Sequence, residues 1–295
     1  SGGVQIFAVF FSSPARPNLT LRTTTIWDDA DRIANIKAVA ERTPGAGIVY
    51  CTLIKDLDNL ATGLRRALPS HRIEIYHGRL HPQRKKDIYN RFINARPKDN
   101  LLLLATNAFG MGVDKPDIRY IIHAQIPGSV EAYAQEVGRA GRDGLPSDCL
   151  LLYAQADLAI QQQFIAWQNP PPDLLARAAH AIEDRYARTN SDFSADDLYL
   201  DVIGKGRGDQ RLAYALIDLA DRGLIEPTGF QDESGEPRYR AAEGFSADAY
   251  LDEIDPAEIA EKTQRDLRRL LDVVNLTKSP DPAQYLLDYF DLPQT

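Results

Sequence analysis

Leu101-Leu102-Leu103-Leu104-Ala105-Thr106-Asn107-Ala108-Phe109-Gly110-Met111-Gly112-Val113-Asp114-Lys115-Pro116 is the stretch that decides the fold. Its first five residues form a short continuous apolar run, the pattern of a strand buried on both faces. A polar, Gly-rich segment follows at once. Glycines two apart let a ligand approach the backbone, though Gly-x-Gly taken alone is usually just a turn. Thr106 and Asn107 offer short donors for phosphate oxygens, and Asp114 can orient an arginine or a ribose hydroxyl. A buried strand that opens into such a loop belongs to a parallel sheet, where ligands gather at the carboxyl ends of strands.

Working outward, four further runs repeat the strand pattern: Ile48–Cys51, Ile73–Tyr76, Tyr120–His123 and Cys149–Tyr153. Segments of helical period lie between them, at Ile54–Ala67, Pro82–Ala95 and Val130–Val137. Apolar strands alternating with helix-length crossovers predict an α/β fold with a parallel sheet covered by helices. The loops after Ala105 and around Gly138 are the places to look for a site.

The 295 residues suggest about two domains on a prior of roughly 150 residues each, and 44% hydrophobic with 26% charged residues is ordinary globular composition. No apolar run approaches the ~20 residues that span a bilayer, so no membrane partner is expected and the cytoplasm is the natural compartment. Cys51 and Cys149 are the only cysteines; a disulfide framework or a four-cysteine zinc site within the chain is excluded by count. The Ser1-Gly2-Gly3 opening, without an initiator methionine, looks like a cloning scar and is left out of the fold reasoning. The net charge of −8 is unevenly spread: residues 1–168 hold 20 basic against 16 acidic residues, and the remainder 14 against 26. A phosphate backbone is attracted to the front and repelled by the back.

Gln135-Glu136-Val137-Gly138-Arg139-Ala140-Gly141-Arg142-Asp143-Gly144 carries the strongest chemistry. Two arginines three apart face the same way on a helical turn, and the guanidinium fork matches phosphate oxygens. Such a pair can stabilise charge building on a γ-phosphate, an effect worth about 10³–10⁵ in rate. Standing alone, the pair is equally compatible with surface salt bridges at a helix end.

Together the segments resemble a known family. Residues 105–127 and Tyr133–Pro146 resemble motifs V and VI of superfamily 2 helicases, in the wording of the RecQ family. Ile48-Val49-Tyr50-Cys51 resembles motif IV, Tyr76-His77-Gly78-Arg79-Leu80 the family's Tyr-His-Ala-Gly-Leu, and Arg16-Pro17-Asn18 the Arg-Pro-Asn leading into the second motor lobe. Gln125, Ala134 and Gly78 depart from the family's usual residues without touching the arginine pair. The resemblance implies a RecA-like second lobe over 1–168 of an ATP-dependent 3′→5′ DNA helicase, a class used in DNA repair and recombination. It gives Arg139 and Arg142 to the γ-phosphate, with Arg142 as the finger, and Gln135 to the bridge between ATP and DNA. Gly110, Gly112 and Asp114 line the nucleotide cleft; Tyr50, Thr52, His77 and Thr106 touch single-stranded DNA. No Gly-x-x-x-x-Gly-Lys-Ser/Thr and no Asp-Glu-x-His stretch occurs in the chain. ATP and Mg²⁺ are therefore expected in the full-length protein and not on this chain alone, whose partners are single-stranded and partly duplex DNA and an N-terminal helicase lobe. The alternative is a non-enzymatic nucleic-acid or protein-binding module derived from such a lobe.

Past Asn169-Pro170-Pro171-Pro172 the chain reads as helical and acidic. Helices at Asp173–Ala187, after a Ser194 cap, and at Asp209–Asp221, then strand-like Leu224–Glu226 and Tyr239–Ala242, give the order of a winged-helix domain over 172–245. Lys205, Arg207 and Arg211 are its candidate DNA contacts, against 12 acids and 6 bases in residues 190–245. Residues 250–295 read as a helical hairpin, Pro256–Val274 and Pro282–Phe290. Its end resembles the helix that opens the RecQ zinc module, with Asp281 where the first cysteine ligand falls. Structural zinc wants four ligands, mostly thiolate or imidazole, so no zinc is expected here.

Overall fold

The structure is a computed structural model and describes residues 16–110, 113–204, 208–232 and 235–291. It divides into two compact units. One runs up to Gln161 and takes in the residues from Arg269 onward; the other is Gln162–Arg268.

The first unit is built on six parallel strands: β1 (Leu19–Thr25), β2 (Ala46–Tyr50), β3 (Arg72–Tyr76), β4 (Leu101–Ala105), β5 (Ile118–His123) and β6 (Ser147–Tyr153). They lie in the order β1-β6-β5-β2-β4-β3. The central register places Val49 of β2 between Leu104 and Ile122. The crossovers are α1 (Asp29–Arg42), α2 (Ile54–Ala67), α3 (Pro82–Ile93) and α4 (Val130–Val137), and α5 (Gln155–Gln168) follows β6. Leu102 and Leu104 of β4 join Ile36, Val39, Leu57 and Leu64 of α1 and α2 in one core cluster. Leu103 is fully buried outside that cluster, as expected for a strand covered on both faces. Burying each leucine stabilises by about 1.5–3 kcal/mol. This is the parallel sheet covered by helices that the apolar runs predict.

β1 and α1 carry no comparable sequence signal. Leu-Thr-Leu-Arg-Thr-Thr-Thr alternates polar with apolar because β1 is an edge strand, paired only with β6 and partly exposed throughout. Two further helices, α10 (Pro256–Lys278) and α11 (Pro282–Asp291), form the C-terminal pair. In the first unit Tyr285 donates to the Asp272 carbonyl (3.0 Å) and Tyr289 to the Glu131 carboxylate (2.9 Å), so α11 lies against the start of α4. Asp281 caps α11, its carboxylate accepting from Ala283 N and Gln284 N at 3.0 Å each.

In the second unit α6 (Pro172–Thr189), α7 (Ala195–Val202) and α8 (Arg211–Asp221) precede the antiparallel pair β7 (Ile225–Gln231) and β8 (Pro237–Ala241), and α9 (Ala247–Asp252) follows. Leu174, Ile182, Leu198, Leu216, Tyr239 and Tyr250 share one core. α8 starts two residues later than its apolar period suggests, because Asp209 stays outside the helix and accepts the Arg211 N–H at 3.0 Å. No described helix is long and apolar enough to cross a membrane.

Candidate active site

β2, β4 and β3 are neighbours, so their carboxyl ends bring Tyr50, Thr52, Tyr76, His77 and Thr106 to one edge. These residues do different work. Tyr50 is buried, its hydroxyl donating to the Phe109 carbonyl at 3.1 Å, and burial, then Glu136, pushes its phenol pKa up. It is a strut beneath the loop, and its ring is not presented to a nucleic acid. Thr106 is buried too, its Oγ1 accepting from Ala108 N. Thr52 is half-buried and held in place: its N–H donates to Gln125 Oε1 at 2.7 Å, and Gln161 donates to its hydroxyl at 3.4 Å. His77 is half-buried; desolvation, with Lys85 and Arg79 also acting, holds its imidazole below the ordinary value.

Near His77 lies a basic cluster that the charge averaged over residues 1–168 conceals. Arg79, Arg84 and Lys86 are exposed at the start of α3, and Lys85 donates to the Gly78 carbonyl. Four cations in eight residues, at the carboxyl end of β3, form a surface that a phosphate backbone would find attractive. The signal was present as Arg79…Arg84-Lys85-Lys86, hidden in the averaged charge.

The arginine turn differs from its sequence reading in place and geometry. The rule for doubly wound sheets puts both candidate loops at the carboxyl edge. Instead Gly138–Gly144 is anchored at the opposite edge, where Gly141 N donates to Ile118 O (3.0 Å) and Asp143 N to Pro116 O (3.2 Å), both at the start of β5. The reason is direction: α4 joins the parallel strands β5 and β6, so the turn that follows it lies at their amino ends. The segment from Thr106 to Pro116 runs the same way, from the end of β4 to the start of β5. The two arginines grip it three residues apart, Arg139 through the Gly110 carbonyl and Arg142 through the Val113 carbonyl at 3.3 Å. Met111 and Gly112 lie outside the described residues, and so does the expected role of Gly112.

The two arginines reach the same segment but differ in exposure. The helix ends at Gly138, and Gly141 turns the chain at φ +54°. Arg139 is buried, and a Cβ on Gly110 would stand 2.9 Å from its Nη2, so Gly110 is the cradle of that guanidinium. Arg142 lies toward solvent, its side chain 30% exposed, paired at 3.1 Å with the Asp114 carboxylate, which is 88% exposed. Gln135 is exposed on α4. Next to it, Glu136 binds His123 Nε2 at 2.7 Å, and that ring lies between Tyr50 and Tyr133 at centroid distances of 5.4 and 4.9 Å. His123 thus ties β5 to the last turn of α4, a part its place in an apolar strand did not suggest.

In the second unit, Arg211 is engaged by Asp209, with Nε at 3.0 Å and Nη2 at 2.6 Å from the same oxygen. That hydrogen bond is the main cause holding the Asp209 carboxyl below its usual range. A guanidinium neutralised by its neighbour is a poor phosphate contact. Lys205 and Arg207 lie outside the described residues. No group of three or more potential metal ligands occurs among the described residues.

Residues 31–144, which include the loop leaving β4 and both arginines, match the family model "Helicase conserved C-terminal domain". The chain is 40% identical over 172 residues to the "Probable ATP-dependent DNA helicase RecS" of Bacillus subtilis, covering 58% of this chain and 34% of that protein. It is 41% identical over 152 residues to the ATP-dependent DNA helicase RecQ of the same organism, covering 51% of this chain and 24% of that protein. Among solved structures, the E. coli DEAD-box protein SrmB matches with a TM-score of 0.40 at 19% identity, over 49% of this chain and 84% of that one. Over about half its length this chain is similar to RecQ-type DNA helicases, and it spans about a third or less of the length of the two Bacillus relatives.

Proposed function

We propose that this chain supplies the arginine side of an ATP site and part of a single-stranded DNA track in an ATP-dependent DNA helicase moving 3′→5′. One observation carries the reading: among the described residues, Arg142 is held by a main-chain carbonyl and an exposed carboxylate. Exposed ion pairs are worth roughly 0–1 kcal/mol, so its guanidinium can exchange Asp114 for a phosphate at little cost. Arg139 has the opposite character. It is buried against Gly110 and Tyr50, which suits it to holding the loop in place.

When bound, ATP with Mg²⁺ supplies a phosphoryl group whose charge in transfer calls for such a cation. Arg142 would meet that charge, Asp114 would hold the guanidinium meanwhile, and Gln135 would stand between this surface and the DNA edge. The Walker and Asp-Glu-x-His parts are not among these 295 residues, so the lobe that grips the β- and γ-phosphates must come from outside them. On the DNA side, His77 and Thr52 are the two of the four candidate contacts left partly accessible, with Arg79 near His77 and Arg84 and Lys86 exposed at the start of α3.

The chain alone should hydrolyse no ATP. In the full-length protein Arg142→Ala should lower DNA-stimulated ATPase by about 10³-fold or more while ATP binding stays near normal. Near-normal turnover of that variant would favour the reading of a non-enzymatic binding module.

A further inference from the structure

Arg142 acts only if its backbone is held still, and the residues that hold it lie far away in sequence. We propose that Arg16 and Asn18 are positioning residues for the arginine turn, an inference that rests on the reading of Arg142 just given. Arg16 sends Nη1 to the Gly138 carbonyl (3.1 Å) and Nη2 to those of Ala140 (2.8 Å) and Gly141 (2.6 Å). Asn18 sends its amide to the carbonyls of Gly141 (2.8 Å) and Leu145 (3.1 Å).

Every bond in this clamp runs from a side chain to a main-chain carbonyl. The chemistry suits the place. The helix ends at Gly138, and the main-chain carbonyls of the non-helical turn beyond it must find donors outside the helix. The guanidinium has donors fixed in a rigid planar fork, enough for several carbonyls at once, and its charge complements the negative end of the helix dipole.

The decisive atom is the Gly141 carbonyl oxygen. It belongs to the peptide unit that leads directly into Arg142, and it accepts from both Arg16 and Asn18. These two side chains, together with Gly144 N, which donates to the same oxygen at 3.0 Å, fix the plane of that peptide, and hence where the Arg142 side chain departs. On the other side of the same residue, Gly141 N is held by Ile118 O at 3.0 Å. The clamp and the glycine are matched, since a Cβ at position 141 would lie 2.6 Å from Asn18 Nδ2. Beyond the turn, Asp143 is gripped by Arg119 at 2.6 and 2.7 Å. Arg142 therefore carries the exposed guanidinium of an otherwise anchored turn.

The test uses the full-length helicase, with Arg142→Ala as the reference. A misplacement of about 1 Å at a reacting group can cost about 10²-fold, so Arg16→Ala and Asn18→Ala should each lower kcat for ATP by roughly 10- to 100-fold. KM for ATP should stay within about threefold, because the interaction removed is one made in the transition state. Arg16→Lys keeps the charge without the fork and should remain as slow as Arg16→Ala. In the 295-residue chain, hydrogen exchange should quicken at amides 138–145 in Arg16→Ala and stay unchanged in β4. If Arg142→Ala is slow while Arg16→Ala and Asn18→Ala turn over at the normal rate, the clamp proposal is overturned. Full activity in Arg16→Lys would overturn it too. If Arg142→Ala itself is normal, the arginine-finger reading has failed instead. Should Arg16→Ala not fold, Asn18→Ala decides, since it removes a donor from the same Gly141 carbonyl.

Discussion

Arg139 and Arg142 share a side chain and a motif, and burial alone separates their chemistry. Inside, Arg139 has its Nε without a hydrogen-bond partner and its Nη1 on the Gly110 carbonyl. An unpartnered buried donor costs about 1–3 kcal/mol, which the rest of the loop must offset. Outside, Arg142 has solvent and a carboxylate. Gly141 keeps these two environments apart. Its φ of +54° is in the left-handed region, and a Cβ there would meet Asn18 Nδ2 at 2.6 Å, Ser147 Oγ at 2.7 Å and the Leu145 carbonyl at 2.8 Å. The left-handed region costs an L-residue roughly 1–2 kcal/mol, and overpacking adds about 1–3 kcal/mol. Gly141→Ala should therefore lower the unfolding free energy of the first unit by about 3 kcal/mol, with a matching fall in denaturant midpoint. A loss under about 0.5 kcal/mol, the usual range for an innocuous surface change, would mean that the turn relaxes easily and is not the rigid mount inferred above.

At the scale of elements, what the sequence made legible follows from burial. β4, α2 and α4 are read with the bounds the structure has, since an apolar run or a clean helical period survives where both faces or one whole face are covered. β1 was missed because an edge strand of Thr, Arg and Leu has little to bury, and α1 because its apolar positions are few. In the site, residue types were legible and their orientation was not. The spacing of Arg139 and Arg142 does not reveal that Gly141 turns the chain between them or that Arg139 alone is buried, while the clamp from Arg16 and Asn18 spans more than 120 residues of sequence. The C-terminal pair makes the same point. Asp281 falls where the family's first zinc cysteine lies, yet its carboxylate is taken by two backbone N–H groups as the cap of α11. Removing an N-cap costs about 1 kcal/mol, so Asp281→Ala should lower the melting temperature by a few degrees. A chelator should not, and elemental analysis of this chain should find no stoichiometric zinc. One zinc per chain, released together with stability on chelation, would restore a metal site in this region.

Across the whole molecule the charge separates by unit more sharply than the average of −8 suggests. The first unit holds 22 basic against 20 acidic residues, and the second 12 against 22. Those cations are not spread evenly: Arg79, Arg84, Lys85 and Lys86 gather near His77 at the carboxyl edge of the sheet. In the acidic unit, several of the cations described already serve carboxylates: Arg211 on Asp209, Arg222 on Asp218, Arg238 on Asp197 and Arg240 on Asp192. DNA binding by this chain should therefore be weak, salt-sensitive and centred on the first unit. Cutting the chain near residue 168 is a poor way to test this, because the first unit needs Arg269 onward, including the Tyr289 hydrogen bond to Glu131. Charge substitutions in the intact chain are cleaner. Replacing Arg84, Lys85 and Lys86 together by alanine should flatten the slope of log affinity for single-stranded DNA against log salt. Every phosphate that is no longer neutralised by a cation reduces that slope by about 0.7. Replacing Arg238 and Arg240 together should leave the slope unchanged. If the second substitution weakens binding and the first does not, the acidic unit holds the DNA and the assignment of the track to the sheet edge is wrong.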